Sequence, residues 1–189
     1  MSDITLEVGT QLRFCVSGSF NPADLATDHT IGSPTNVTLT QASLANGAGR
    51  QSAKVDLGAN RAQRYSLAAA ADFTGETPSA TGRMDYYWAP STHATAANGN
   101  VAGNSGLDGA APDGALGSIT LDEFLAQCIY IGSLRTHDGG VVQNSGHIGT
   151  LIPPTRYGQL VVVNNSGDVL ENDDVENAAW LTPMVDDVA

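Results

Sequence analysis

Apolar residues in this chain recur mostly at every second position, in short runs separated by glycine, proline, asparagine and aspartate. A period of two is typical of strands, whose successive side chains point to opposite faces of a sheet. The pattern predicts about eight to ten strands, with a further short extended piece at residues 141–143. The clearest runs are residues 4–8, 12–16, 36–41, 51–57, 63–73, 83–89, 128–134, 157–163 and 178–185.

The run at residues 157–163 is the densest in β-forming residues, and it has almost no polar alternation after Gln159. This predicts a central strand that is covered on both faces. Residues 164–168 favour a chain reversal, so residues 157–185 are predicted to form a long hairpin. Pro183 cannot donate to a ladder, so the last strand should be an edge strand or end near it. The acids of the connection are expected to lie in water: Glu171, Asp173, Asp174 and Glu176.

One short helix is predicted near residues 121–127, because Thr120 and Glu123 have the spacing of a capping box. Residues 17–36 lack periodicity and are expected to be an extended loop or arm that orders against a partner. Pro90 is expected to end the strand at residues 83–89. The glycine-rich stretch at residues 91–118 predicts a long loop of the kind that often has a binding role.

These elements predict an all-β fold, an antiparallel β-sandwich that is jelly-roll-like. The expected division is an N-terminal part with strands and an extended arm, residues 1–45, and a β-sandwich domain, residues 46–189. A chain of 189 residues is long enough to bury a core without a disulfide or metal.

The net charge of the chain limits the kinds of molecule that it can be expected to bind. The net charge is −12, with 20 acidic residues against 8 basic ones, of which only Lys54 is a lysine. Such a chain lacks the basic footprint that nucleic acids and anionic membranes require, and it suits a partner with a basic patch. Residues 1–7 do not resemble a signal peptide and no apolar run is long enough to span a membrane, so folding in the cytoplasm is expected.

Two cysteines, Cys15 and Cys128, are each flanked by apolar residues. They are expected to be buried thiols, with a single disulfide as the alternative for a protein that works outside a cell. Neither has the spacing of a zinc site. The four histidines are scattered without metal-ligand spacing: His29, His93, His137 and His147.

Three groups of residues are candidates for chemical sites. Asp85 precedes the aromatic residues 86–88, which is the arrangement of an acid near a sugar-stacking platform; the alternative is a solvent-facing acid on a strand. His137 with Asp138 suggests a base and its orienting acid, although Asp-Gly-Gly also suits a turn. Carboxylates in loops could also bind calcium, which prefers oxygen ligands. The alternative is that these acidic loops are simply exposed to water. Its candidate ligands are Asp108, Asp113, Asp173 and Asp174.

None of these groups has a motif that fixes its role. The chain contains no nucleophile elbow, no P-loop and no dinucleotide-binding fingerprint. No catalytic, cofactor-binding or metal-binding residue is therefore assigned, and an enzyme is not expected.

A succession of short segments resembles the small structural proteins that are encoded among the head and tail genes of tailed bacteriophages. The segments are RAQRYS (61–66), YYWAPS (86–91), YIGSL (130–134), IGTLIPPTRYG (148–158), VVVNNSG (161–167) and TPMVD (182–186). The resemblance covers about residues 50–187 and consists of packing and turn signatures. It implies a β-sandwich or jelly-roll module that belongs to the virion.

The function that the resemblance implies is capsid decoration, in which a cement protein binds the outside of the shell and stabilises it. The expected partners are the major capsid protein and further copies of the chain, as a homotrimer, on the capsid surface. The alternative is another virion component: a tail, baseplate or fibre-base protein, or a host-glycan-binding module.

Overall fold

The computed structural model describes residues 9–16, 20–21, 25–59 and 61–184, so the strand predicted at residues 4–8 lies outside these ranges. The strands are β1 Leu12–Cys15, β2 Thr35–Thr38, β3 Gly49–Gln51, β4 Val55–Asp56, β5 Arg64–Asp72, β6 Arg83–Ser91, β7 Gly109–Ala111, β8 Ile129–Arg135, β9 Val142–Leu151, β10 Tyr157–Asn165 and β11 Ala178–Met184. One helix, α1 Leu121–Leu125, and two 3-10 turns, Leu25–Thr27 and Gly114–Leu116, complete the described part. The predicted all-β class is confirmed. None of the described helices has the length and apolar character needed to cross a membrane.

The described strands form one curled sheet in the order β2-β1-β11-β5-β9-β8-β6-β10-β3-β7, with β4 also paired to β10. All pairs are antiparallel except β1 with β2, which is parallel, so the expectation of a purely antiparallel sheet is wrong at this edge. Because every strand belongs to the same hydrogen-bonded sheet, a sandwich of two separate layers stays a prediction.

The sheet has two halves, β2-β1-β11-β5-β9 and β8-β6-β10-β3-β7, and within the described ranges a single residue pair joins their strands. β8 and β9 share one residue pair, Gly132 with Gly149. A Cβ atom built on Gly132 would lie 1.9 Å from the carbonyl oxygen of Ile148, and one on Gly149 would lie 2.1 Å from that of Ile131. Only glycine tolerates such close backbone approach, so this pair fixes how the halves join.

The main core lies between the two halves. Phe14, Leu67 and Leu181 come from one half, and Trp88 and Leu160 come from the other, all fully buried. Smaller clusters cover the outer faces. Trp180 packs with Cys15 under Phe20 and His29, while Phe124 of α1 packs on Val161 of β10. This second cluster explains why β10 is apolar on both faces, and the predicted central strand is confirmed.

The predicted terminal hairpin is wrong. β10 pairs with β6, β3 and β4, whereas β11 pairs with β1 and β5 in the other half of the sheet. Each strand is interior, so neither has a free side for the other. The connection crosses between the halves, and Asp174 and Glu176 are buried rather than in water.

The prolines fit the sheet at places where few ladder bonds are needed. β11 is not an edge strand, but it ends one residue after Pro183, as predicted, and its pairing with β1 stops earlier, at Leu181. Pro90 does not end β6, contrary to the prediction. Pairing of β6 with β8 stops at Trp88, so Pro90 needs a neighbour only on the β10 side, where it pairs with Gly158.

The described part of the N-terminal segment belongs to the same core. β1 joins β11, and β2 covers the last two residues of the predicted loop and the start of the strand predicted at residues 36–41. Val37, Leu39 and Leu44 are buried with the main cluster. The backbone N–H of Ala53 donates to the Thr38 carbonyl oxygen at 2.8 Å, which connects this edge to the β3–β4 segment. The division at residue 45 stays a prediction.

The stretch predicted as a long loop is tightly bound to the sheet. It contains β7 and one 3-10 turn. The ammonium group of Lys54 donates to three backbone carbonyl oxygens, those of His93 (3.1 Å), Thr95 (2.8 Å) and Asn98 (2.7 Å). Three acceptors satisfy all three donors of an ammonium group, so this lysine fixes the shape of the loop. The binding role of the loop stays a prediction.

Candidate interaction site around Asp85

Successive side chains of β6 point to opposite faces, so the three aromatic residues of the predicted platform do not share one surface. Tyr86 and Trp88 point into the main core and are completely buried, whereas Asp85 and Tyr87 lie on the opposite face of the strand. This follows from the period of two in a strand. The prediction that residues 86–88 together form a sugar-stacking surface is therefore wrong for Tyr86 and Trp88.

Asp85 is neither a solvent-facing acid nor an accessible one, because it is only 2% exposed. Both of its carboxylate oxygens accept from Nε of Arg83 at 2.9 Å, and one accepts from Nδ2 of Asn165 at 2.8 Å. The hydroxyl of Ser133 donates to the other oxygen. The predicted alternative, an acid in water, is also wrong.

Three strands bring this network together. Asp85 lies opposite Ser133 of β8, and Arg83 lies opposite Asn165 of β10. The hydrogen bonds that Arg83 donates to Asp85, and then the charge of Asp85, raise the pKa of the Arg83 guanidinium. A buried carboxylate is costly without hydrogen-bond donors, and this network supplies donors to both oxygens of Asp85.

An aromatic pair lies beside the network. Tyr87 and Tyr130 are opposite each other on β6 and β8, and their ring centroids are 5.2 Å apart in an edge-to-face arrangement. Tyr130 is 55% exposed, and its hydroxyl shares a hydrogen bond with that of Ser133. Burial, followed by the charge of Asp85, raises the pKa of Tyr87. Tyr130 is therefore an exposed ring on a fixed support.

Two arginines lie on the same two strands as the aromatic pair, on one side of it. Arg83 lies opposite Arg135 in the sheet, the side chain of Arg83 is 47% exposed, and Arg135 is exposed. We call Arg83, Tyr87, Tyr130 and Arg135 the Tyr130 patch. Because the carboxylate of Asp85 is sealed beneath it, the patch presents positive charge and an aromatic ring on a protein whose net charge is −12.

Asp85→Asn is expected to destabilise the fold by about 1–3 kcal/mol, because a buried donor that loses its hydrogen-bond acceptor costs about this much free energy of unfolding. The reason is that an amide cannot accept from Arg83, Ser133 and Asn165 together. Urea unfolding measures the change, and Asp138→Asn, at an exposed turn, is the control. Equal stability of the two variants would contradict the structural role of Asp85.

The histidine candidates have local roles. Nδ1 of His137 accepts from the backbone N–H of Gly139 at 3.1 Å, and Gln143 bonds both the N–H and the carbonyl of His137, which supports the turn interpretation over a base paired with Asp138. A contact that the sequence did not indicate joins the hydroxyl of Ser66 to Nδ1 of His147 at 2.8 Å. Among the described residues, no carboxylate bonds to His147, so the geometry lacks the third group of a catalytic triad.

Each of the four calcium candidates accepts a hydrogen bond from a backbone N–H group. Asp108 accepts from the N–H and hydroxyl of Thr40, Asp113 caps the 3-10 turn, Asp173 accepts from the Val175 N–H, and Asp174 accepts from the Gln41 N–H at 2.6 Å. Within the described ranges, no three histidine, cysteine or acidic side chains are grouped so that they could hold a metal ion. Asp108 and Asp174 accept from two consecutive residues, Thr40 and Gln41.

The buried position of Asp174 predicts a pH effect on stability. Burial is the main cause that raises the pKa of this carboxyl, and the hydrogen bonds from Gln41, Ala42 and Asn177 oppose it. Since the folded pKa lies above the unfolded one, the stability from Asp174 is complete below the unfolded pKa and is lost as pH rises through the folded pKa. Asp174→Asn should therefore remove this fall in stability. Chemical unfolding from pH 4 to pH 8 compares the variant with wild type, and parallel pH profiles would contradict the expectation.

Both cysteines are free thiols, so the disulfide alternative is wrong. Cys15 lies in the Trp180 cluster and Cys128 packs beside Phe124, in different halves of the sheet. Burial raises the pKa of both, that of Cys128 to about 12, and neither is an activated nucleophile.

Comparison with known proteins adds no relative: no family model, curated protein or solved structure matches the chain.

Proposed function

We propose that the chain is a capsid decoration protein, which binds the outside of the shell of a tailed bacteriophage and stabilises it. The virion assignment depends on the resemblance of segments between residues 50 and 187 to small phage structural proteins. The geometry supports the part of the proposal that concerns chemistry, a binding module rather than a catalyst.

The observation that carries this part is the contrast at β6. Asp85, the best acidic candidate for catalysis, is sealed by Arg83, Ser133 and Asn165, whereas Tyr130 above the same network is 55% exposed. Catalysis needs the reacting group in contact with substrate. Binding needs rigid exposed anchors, and tyrosine and arginine are the residues that most often carry binding energy at protein interfaces.

The rigidity of the module suits a cement role. The main core includes residues from both halves of the curled sheet, and the long stretch 91–118 is held by Lys54 through three carbonyl oxygens. A partner that binds preorganised loops loses little conformational entropy. Binding between capsomers as a trimer would add contact area that opposes the internal pressure of packaged DNA.

Binding to heads that lack the chain tests the proposal. Heads purified from particles without this gene are mixed with increasing amounts of the purified chain, and the bound fraction is measured after sedimentation. We expect saturable binding with a fixed number of copies per head and greater resistance of the decorated heads to heat. Binding that never saturates, or heads whose heat resistance does not change, would contradict it.

A second candidate function is another virion component: a tail, baseplate or fibre-base protein, or a host-glycan-binding module. The exposed ring of Tyr130 beside polar side chains favours the glycan version, because aromatic faces and hydrogen-bonding groups together bind sugars. Immunogold labelling of intact virions distinguishes the candidates, since gold on the tail would favour this second function.

A further inference from the structure

We propose that the Tyr130 patch is the surface that contacts the shell, and that it fits an acidic, carboxylate-bearing surface of the major capsid protein. This inference rests on the proposed function and names the side of the molecule and the chemistry of the contact. It differs from what the net charge indicates, namely a partner with a basic patch.

The local charge of the patch is opposite to that of the protein. Arg83 and Arg135 are opposite each other on neighbouring strands, and Asp85 is the acid that bonds to Arg83. Arg83, Asp85 and Arg135 together carry a formal net charge of +1, whereas the whole chain carries −12. Charges are screened beyond about 8–10 Å at physiological salt, so the groups in contact decide the fit, not the distant acids.

The patch is also built to present its arginines in fixed positions. Arg83 uses Nε for both oxygens of Asp85, which orients the guanidinium while its side chain stays 47% exposed. The terminal nitrogens of an arginine can bond a carboxylate in a bidentate manner. A prepositioned guanidinium loses less entropy when a partner carboxylate binds.

The aromatic pair supplies the apolar part of the contact. Tyr130 is more than half exposed, and its position is fixed by the ring contact with Tyr87 and by the hydrogen bond with the Ser133 hydroxyl. Interface centres that combine such a ring with arginine are enriched in binding energy. The Tyr130 patch lies on the face of β6 and β8 that points away from the main core. A partner can therefore reach Tyr130 without unfolding any element.

The test uses a pair of charge-matched variants in the head-binding assay. Arg135→Glu reverses one charge inside the patch, and Arg61→Glu makes the same change in net charge outside it, so both variants face equal long-range repulsion. We expect Arg135→Glu to weaken binding by about tenfold or more, the size of a moderate hot spot, and Arg61→Glu to leave it within about twofold of wild type. A second pair, Tyr130→Ala and Ile152→Ala, makes the same comparison for exposed apolar side chains.

Melting temperatures establish that the four variants are folded before binding is compared. Equal binding of wild type, Arg135→Glu and Tyr130→Ala to heads would overturn the patch and leave the decoration function standing. Equal loss in Arg135→Glu and Arg61→Glu would show an effect of net charge and would also overturn the patch. If wild type binds no heads, the proposed function fails and the patch assignment fails with it. Binding of wild type to immobilised polygalacturonate but not to heads would overturn the shell assignment in favour of an acidic glycan.

Discussion

Gly132→Ala is expected to destabilise the protein by more than about 3 kcal/mol, which is a large part of the 5–15 kcal/mol that holds a typical domain folded. The new methyl carbon would lie 1.9 Å from the carbonyl oxygen of Ile148. That oxygen is backbone, so it cannot rotate away, and the two halves of the sheet would have to separate at their single shared pair. Soluble yield and urea unfolding measure the effect.

Gly109→Ala is the matched control, because Gly109 also lies in a strand but has nothing within 4 Å of its added Cβ. We expect its stability to change by no more than about 1 kcal/mol. Similar stabilities of the two variants would contradict the close contact between β8 and β9. Gly149→Ala repeats the test from the other strand, where the added Cβ would lie 2.1 Å from the carbonyl oxygen of Ile131.

Gly158→Ala is expected to cost about 1–3 kcal/mol, the usual range for overpacking a core. Gly158 of β10 lies under the indole of Trp88, and an added Cβ would be 2.4 Å from two of its ring carbons. Trp88 is completely buried in the main core, so the ring has little room to move. Urea unfolding followed by tryptophan fluorescence measures the loss.

A double-mutant cycle with Trp88→Phe shows whether this contact causes the loss. The smaller ring makes room for the methyl group and also removes an indole N–H that is buried without a hydrogen-bond partner. We therefore expect Gly158→Ala to cost less in the Trp88→Phe background, with a coupling of about 1 kcal/mol. Additive losses would contradict direct packing of Trp88 on Gly158.

Local elements could be predicted from the sequence because their causes are local. The alternation at residues 63–73 and 83–89 predicts β5 and β6, although an alanine run such as residues 68–71 also suits a helix. The capping box at Thr120 is present, with the Thr120 hydroxyl and the Glu123 carboxylate each accepting a backbone N–H of the other residue. The helix begins where the box places it and ends at Leu125.

Strand partners could not be predicted in the same way. A tight turn after β10 favours a hairpin locally, but the run of valines makes β10 an interior strand with β6 on one side and β3 and β4 on the other. Which strands pair with β10 depends on how the whole molecule buries both of its faces, and residues 157–185 alone do not determine this.

The candidate site shows the same division between local and distant causes. Asp85 could be selected from its place beside three aromatic residues, but which of them share its face depends on where the strand begins. Ser133, Tyr130 and Asn165 come from β8 and β10, and an irregularity in the β6–β8 register between Tyr86 and Tyr87 sets Tyr87 opposite Tyr130. The net charge likewise gave no sign that Arg83 and Arg135 lie opposite each other, because composition does not show which residues are neighbours in the fold.

Electron cryomicroscopy of intact virions is the most direct test of the decoration function. We expect density for the curled sheet on the outside of the shell, in copies related by the capsid symmetry, with Tyr130 and Arg135 turned toward the major capsid protein. Density in the tail or baseplate, or heads without any density for the chain, would contradict the decoration function.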